Sequence, residues 1–402
     1  MNPHPIAAPS GLARALWGAA FFAASLLAVF RAPTYHLWML ALIVTEWGHW
    51  LAAAALLVLA PGWTLSRGGR LGGALGVAAA ALLLSPLVRA EADFGRGRAL
   101  DRGLTAAFGA GAPLSAPGAP ARPAPLVPAD LWLGVHSPKV RELSAVYARD
   151  CDGPLRLELY LPERASGPLP VVLVVHGGSW RGGSRLEMPE LSRYLAARGY
   201  AVASVDYGLA PGERFPGQLE DLREAAAFLR ARAAAWSLDP SRVALLGRSA
   251  GAQIALAAAA ARAVPGLKGV VDFYGPNDLR LAWAEPGSPW ILDSRALLRD
   301  YLGGPPASAP ALYDEASPLL EAGRDFPPTL MIHGGRDELV RPIHEFRLAA
   351  RLKALGVPHD FVELPWATHG CDYAFSGPCG QVSTYAVERF LARTLAPPAA
   401  AE

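Results

Sequence analysis

Val243-Ala-Leu-Leu-Gly247-Arg248-Ser249-Ala250-Gly251 is the stretch on which the reading of this chain turns. A short apolar run ends in Gly-x-Ser-x-Gly, and an Ala-rich helical stretch, Gln253–Arg262, follows. Strand, strained turn and helix in that order make a nucleophile elbow. Glycines are needed on both sides because the turn is tight and its backbone approaches its neighbours closely. The turn lifts the Ser249 hydroxyl above a sheet, at a helix N-terminus whose dipole favours negative charge. In a chain with 41 glycines the five-residue pattern alone is a weak signal. Its strand-and-helix context gives it weight.

Outward from the elbow the chain alternates strands and helices. Candidate strands are Ser144–Ala148, Arg156–Leu161, Val171–Val175, Ala201–Val205, Val243–Leu246, Gly269–Phe273, Thr329–Ile332 and Asp360–Leu364. Several are short, continuous Val/Leu/Ile runs, as a parallel sheet covered on both faces requires. Helical stretches lie between them: Leu191–Arg198, Leu219–Trp236, Ile343–Leu355 and Gln381–Leu391. No helix separates the first two strands, so the sheet is expected to start antiparallel. The rhythm predicts a doubly wound α/β sheet, whose ligands bind beyond the carboxyl ends of the strands.

The remaining motifs fall at those ends. His176-Gly177-Gly178-Ser179-Trp180 follows the strand Val171–Val175. Acyl transfer needs backbone N–H donors where the oxyanion develops, and Gly177 and Gly178, with the amide of Ala250, are the candidates. Thr329-Leu-Met-Ile-His-Gly-Gly-Arg-Asp337 is a strand, a glycine turn and an acid, and Thr368-His369-Gly370 follows the last strand. A serine hydroxyl needs an imidazole to take its proton and a carboxylate to orient that imidazole. Ser249, Asp337 and His369 supply these roles in the chain order Ser…Asp…His. His176, His333 and His344 are rival bases, the first two reading as structural residues in glycine turns. Glu338 is a rival acid. Asp206 and Asp221 read as structural.

From about residue 140 to 395 these motifs, with Asp206-Tyr-Gly-Leu-Ala-Pro211 and Phe215-Pro-Gly-Gln-Leu-Glu-Asp221, resemble the α/β-hydrolases of the carboxylesterase and hormone-sensitive-lipase-like group. The resemblance implies an eight-stranded, mostly parallel sheet, no cofactor, and hydrolysis of a carboxylic ester through an acyl-enzyme. The chain departs from the lipase-like pattern after His-Gly-Gly, where Ser179 and Trp180 stand in place of a third glycine. That form resembles the feruloyl-esterase-like, isoprenylcysteine-methylesterase and arylformamidase branches. An amidase or peptidase with the same triad therefore stays open. So does a non-catalytic hydrolase-fold module carried on a functional membrane bundle. The long excursion 275–327 is expected to roof the site as a cap, or to form a satellite apolar cluster. Trp180, Tyr274, Trp283 and Trp290 are candidate substrate contacts, suited to an apolar acyl or aryl group.

Over its 402 residues the chain is 52 % hydrophobic and 18 % charged, with net charge +2. The near-zero charge and the absence of a basic run give no footing for nucleic acid. Apolarity concentrates in three stretches, Leu12–Phe30, Tyr35–Ala60 and Leu71–Val88. Each approaches the roughly 20 residues a membrane-crossing helix takes. Trp17, Trp38 and Trp63 lie near their ends, where amphipathic rings suit the interface. Ala28-Val29-Phe30-Arg31 is a poor signal-peptide cleavage site and two more stretches follow, so residues 1–102 read as a multi-pass membrane region. Arg31, Arg89, Arg96, Arg98 and Arg102 against Arg14, Arg67 and Arg70 favour a cytoplasmic C-terminal domain. A bond between Cys371 and Cys379 argues for the opposite side, and unpaired thiols there remain open. Neither these nor Cys151 matches a zinc-site spacing, no phosphate-binding loop is present, and no metal or cofactor is expected. Glu46 and His49, three apart, are expected to share a helix face. Residues 103–130, rich in Ala, Pro and Gly, read as a linker, and 131–398 as the catalytic domain.

Overall fold

Val-, Leu- and Ile-rich runs become the strands of one eight-stranded sheet in this computed structural model, which describes residues 10–59, 66–111, 119–150, 153–165 and 167–396. Cys151, Trp63, Ala60, residues 112–118 of the expected linker and 397–398 of the expected domain lie outside that set. The strands are β1 (Val140–Asp150), β2 (Gly153–Pro162), β3 (Leu169–Val175), β4 (Ala201–Val205), β5 (Leu238–Arg248), β6 (Leu267–Phe273), β7 (Thr329–Gly334) and β8 (His359–Leu364). Their order is β1-β2-β4-β3-β5-β6-β7-β8. The β1–β2 and β2–β4 pairs are antiparallel and the others parallel. β1 and β5 outrun their apolar stretches because backbone pairing, not side-chain burial, extends them. Leu238 and Asp239 still pair with Leu169 and Pro170.

Side chains alternate between two cores. Val171, Leu173 and Val175 enter one, while Val172 and Val174 enter the other. This is the period-two geometry of a strand buried on both faces.

The N-terminal region departs from expectation in three places. It contains α1 (Gly11–Ser25, prolonged by a 3-10 turn, Leu26–Ala28), α2 (Tyr35–Glu46), α3 (Gly48–Leu59) and α4 (Arg67–Phe94). Among the described residues two helices, Gly11–Ala28 and Arg67–Phe94, are long and apolar enough to cross a membrane. The expected helix Tyr35–Ala60 is instead broken at Trp47, with α2 and α3 inclined at 85°, and counts as a third crossing only if the bent pair is one span. Gly48 lies so close to α4 that a Cβ there would sit 2.1 Å from the Leu83 carbonyl oxygen. A Cβ on Gly18 would likewise lie 2.6 Å from Gly72 O, and one on Gly68 2.4 Å from Gly11 O. Backbone contact through small residues is the packing that helices use where lipid removes the hydrophobic drive between them.

The bend also parts Glu46 from His49. Glu46 Oε2 accepts the Cys379 N–H at 2.9 Å, and His49 Nε2 lies 2.9 Å from Leu131 O. The two side chains bind the chain beyond the N-terminal helices, at Cys379 and Leu131, rather than each other.

The described residues of the expected linker are docked rather than free. They begin within α5 (Arg98–Phe108) and end within α6 (Pro128–Leu133). Leu100, Leu104 and Leu126 join the core beneath the sheet. The buried Arg122 pairs with Asp130 at 3.1 Å and donates to Gln381 Oε1 at 2.7 Å. Pro/Gly-rich composition signals a segment without a core of its own. It says nothing of a core face supplied from elsewhere.

The sheet is covered on one side by α7 (Pro189–Ala197) and, at the chain's end, α16 (Pro378–Thr394). The other side carries α8 (Gly217–Ala231), α10 (Ala250–Ala260) and α15 (Ile343–Leu355). α9 (Ala233–Trp236) is a separate turn after α8, so the expected helix 219–236 breaks at Arg232. The excursion 275–327 folds into four short helices, α11 (Leu279–Ala284), α12 (Ser294–Leu302), α13 (Pro310–Glu315) and α14 (Pro318–Glu321).

Candidate active site

The elbow stands at the carboxyl end of β5, near the middle of the sheet. Ser249 holds φ 53° and ψ −120°, a strained conformation for a non-glycine residue, immediately before α10. The strain is held by close packing. A Cβ on Gly247 would lie 2.3 Å from Gly251 O, and one on Gly251 2.2 Å from His176 O. The Ser249 N–H donates to Phe273 O at 2.8 Å, tying the turn to β6.

His369 and Asp337 arrive from the turns after β8 and β7. His369 Nε2 lies 2.9 Å from Ser249 Oγ, and its Nδ1 lies 2.6 Å from Asp337 Oδ2. This assigns the Nδ1–H to Asp337 and leaves Nε2 to accept from the serine hydroxyl. Asp337 Oδ1 accepts the N–H groups of Leu339 and Val340 at 2.8 and 2.9 Å. Burial disfavours the charge on this carboxyl, but His369 and His333 hold it well below the usual carboxylate range.

His333 is part of that arrangement, which its place in a glycine turn does not reveal. Its Nε2 lies 3.1 Å from Asp337 Oδ2 and its Nδ1 2.9 Å from Glu345 Oε1. Burial works against its charge, yet these hydrogen bonds raise its pKa to about 10. Beyond it, Asn277 Nδ2 bridges Glu345 and Asp272. Burial pushes both carboxyls up, Glu345 further by the neighbouring Asp272. Neither acid was marked by a motif, since each sits inside an ordinary strand or helix.

The rivals take other places. Glu338 turns from His369, accepting the Thr368 hydroxyl and, at 2.9 Å, the Ala32 N–H. His176 stacks on Tyr207 with ring centres 4.3 Å apart. His344 Nδ1 accepts the Asp278 N–H at 3.2 Å, and burial and the His333 charge depress its pKa to about 3. Asp206 binds Arg185, and Asp221 accepts the Gly208 N–H.

A second charged set braces the elbow. Arg248 Nε donates to Asp372 Oδ2 at 2.6 Å, and the Tyr274 hydroxyl donates to Oδ1 of the same carboxylate. Asp372 lies in the loop closed by a Cys371–Cys379 disulfide. Tyr274 sets its ring 4.5 Å from that of His369.

Gly177 lies against the elbow, where a Cβ would be 3.5 Å from Ser249 Cβ. Gly178 has φ +112°, and a Cβ there would lie 2.1 Å from Gly182 O, so only glycine fits. Ala250 opens α10. Ser179 and Trp180 continue with positive φ, turning Trp180 over the site. Its indole donates to Gln253 Oε1 at 2.9 Å and stacks on Tyr301.

A narrow cavity of about 40 Å³ opens at Ser249, lined by Trp180, Ala282, Leu292, Leu297, Leu298 and Val340 among others. The excursion thus supplies the roof. Of the four expected contacts Trp180 alone lines the cavity. Tyr274 stands behind His369, Trp283 packs edge-on against Tyr313, and Trp290 is 79 % exposed. A larger cavity of about 840 Å³ lies apart, at the end of α5 and the loops before β6 and β7.

A family profile described as BD-FAE matches residues 157–352. Esterase LipC of Mycobacterium tuberculosis is 32 % identical over 226 residues, 51 % of this chain and 54 % of LipC. A probable isoprenylcysteine alpha-carbonyl methylesterase of Arabidopsis thaliana is 37 % identical over 134 residues, 32 % of this chain and 27 % of that protein. The chain spans about half the length of the curated mycobacterial relatives it matches. Among solved structures, the thermophilic carboxylesterase EstE1 from a metagenomic library is 28 % identical with TM-score 0.55, covering 65 % of this chain and 92 % of its own. A hyperthermophilic esterase from Pyrobaculum calidifontis is 27 % identical with TM-score 0.54, covering 63 % and 84 %. Topology and these likenesses give the chain from β1 to α16 the α/β-hydrolase fold, and its likenesses are to esterases of the carboxylesterase and lipase group.

Proposed function

We propose that this protein is a membrane-anchored serine hydrolase that cleaves carboxylic esters through an acyl-enzyme, with Ser249 as nucleophile, His369 as base and Asp337 as orienting acid. The observation that carries the reading is the hydrogen-bonded run from Ser249 Oγ through both nitrogens of His369 to Asp337 Oδ2. His369 takes the serine proton as Oγ attacks the ester carbonyl, and the amides of Gly177, Gly178 and Ala250 receive the oxyanion. His369 then protonates the departing alkoxide. A water activated by the same imidazole releases the acid and restores Ser249. The apolar lining by Leu292, Leu297, Leu298 and Trp180 suits an apolar acyl or aryl group.

The two or three apolar N-terminal helices are the anchor in this reading. A disulfide at Cys371–Cys379 belongs in an oxidising compartment. It outweighs the small arginine difference and supports an outer-face location for the catalytic domain. The test is a fluorophosphonate probe on full-length protein, wild type and Ser249→Ala. Labelling of the wild type alone supports the nucleophile, and labelling of intact cells by a non-permeant probe supports the outer location. A folded wild type that takes no label defeats the mechanism.

A further inference from the structure

A run of hydrogen bonds ties the catalytic domain to the chain between α1 and α2, beside the Ser249 cavity. Arg336 donates to the carbonyls of Leu27 and Ala28 where the first apolar helix ends, at 2.8 and 2.6 Å. Glu338 accepts the Ala32 N–H. Ser288 Oγ donates to Pro33 O at 3.4 Å, and the Tyr35 N–H donates to Trp290 O at 3.0 Å. The chain from Val29 to Tyr35 therefore runs along the rim from the Asp337 turn to the roof. Trp290 belongs to the roof segment whose Gly287 and Leu292 line the cavity.

The outer side of that rim is bare and largely apolar, with Arg31 and His36 its exposed polar residues. Val29 is 50 % exposed, Phe30 62 %, Tyr35 47 %, Leu37 38 % and Trp290 79 %. A patch of this kind marks an interaction surface. Its occupant follows from continuity: the patch begins where the apolar span Gly11–Ala28 ends. It continues along α2, which turns 85° from α3 and so lies crosswise to it. Trp and Tyr rings at the level where a span ends are the arrangement of a membrane interface.

We infer that this rim rests in the bilayer surface with Trp290 as its anchor, so that the Ser249 cavity takes esters dissolved in the membrane. The inference rests on the esterase reading and specifies its substrate class. A water-soluble substrate reaches the cavity without the rim. A bilayer-dissolved one depends on it.

The experiment uses full-length protein in phosphatidylcholine vesicles and two esters that deliver the same acetyl group, water-soluble 4-nitrophenyl acetate and bilayer-dissolved hexadecyl acetate. Trp290→Asp is expected to lower acetate release from hexadecyl acetate about tenfold, the factor that withdrawing one large aromatic side chain from an apolar phase accounts for. Release from 4-nitrophenyl acetate should change by less than about twofold, because Trp290 lines no part of the cavity. Trp290→Tyr, which keeps an interfacial ring, should retain the hexadecyl acetate activity. Equal loss on both esters makes Trp290 a prop of the roof and overturns the inference, as does no loss on either. A wild type active on the soluble ester alone overturns it while leaving the esterase reading intact. A wild type inactive on both removes the two together.

Discussion

Replacing His333 by Gln tests the buried charge chain behind Ser249. His333 is fully buried, and despite that burial its hydrogen bonds to Asp337 and Glu345 raise its pKa to about 10. It is therefore a cation across neutral pH, offsetting part of the charge on Asp337. His369 touches the same Asp337 Oδ2, at 2.6 Å against 3.1 Å for His333. The facing ring nitrogens thus lie within about 6 Å, where unit charges at an effective dielectric constant near 20 interact by about 3 kcal/mol, or about two pH units. Gln retains an amide donor toward Asp337 and discards the charge. The uncompensated carboxylate then attracts the proton on the catalytic imidazole more strongly, and the acid limb of kcat/KM should rise by about one to two pH units. The assay is the pH profile of soluble-ester hydrolysis for wild type and variant. An unmoved or lowered limb refutes the argument, and a fall in kcat at an unmoved limb reduces His333 to packing. The same shift sets a stability window. With a folded value near 10 against an ordinary 6.5, the His333 charge stabilises fully below about pH 6.5 and loses its effect as pH rises through about 10. Thermal stability should therefore fall from pH 7 to 10 in the wild type and much less in His333→Gln.

Two further outcomes follow from the packing. Gly251→Ala would put a Cβ 2.2 Å from His176 O and 2.3 Å from Val175 O, backbone atoms at the end of the central strand β3 and just past it. It should cost about 3 kcal/mol, read as a lowered melting temperature together with lost probe labelling. Paired replacement of Cys371 and Cys379 by Ser opens a loop spanning 8 positions and should cost about 2–3 kcal/mol, read as a lowered denaturant midpoint. An unchanged midpoint would mean that Asp372 and its partners hold the loop without the bond.

The strands and the order of motifs are legible in the sequence because they rest on local chemistry. A buried parallel strand needs an unbroken Val/Leu/Ile run such as Val171–Val175, and a strained serine turn needs Gly247 and Gly251 beside it. The positions of Ser249, Asp337 and His369 at strand ends follow from the same local signals. The four aromatic contacts are less legible. Composition marks Trp283 and Trp290 as apolar, but only the course of α11 and α12 decides that neither faces the cavity.

What the sequence by itself determined is therefore the sheet, the elbow and the apolar N-terminus. Only the tertiary structure decided which distant groups meet. Glu46 and His49 lie three apart in a stretch that reads as one helix, yet each finds a better partner across the molecule, at Cys379 and Leu131. Arg248 pairs with Asp372 across 124 positions, and Ala32 with Glu338 across 306. The physical reason is common to all of these pairs. A buried polar group must be satisfied by whatever the fold brings within about 3 Å, and no local pattern encodes that neighbour.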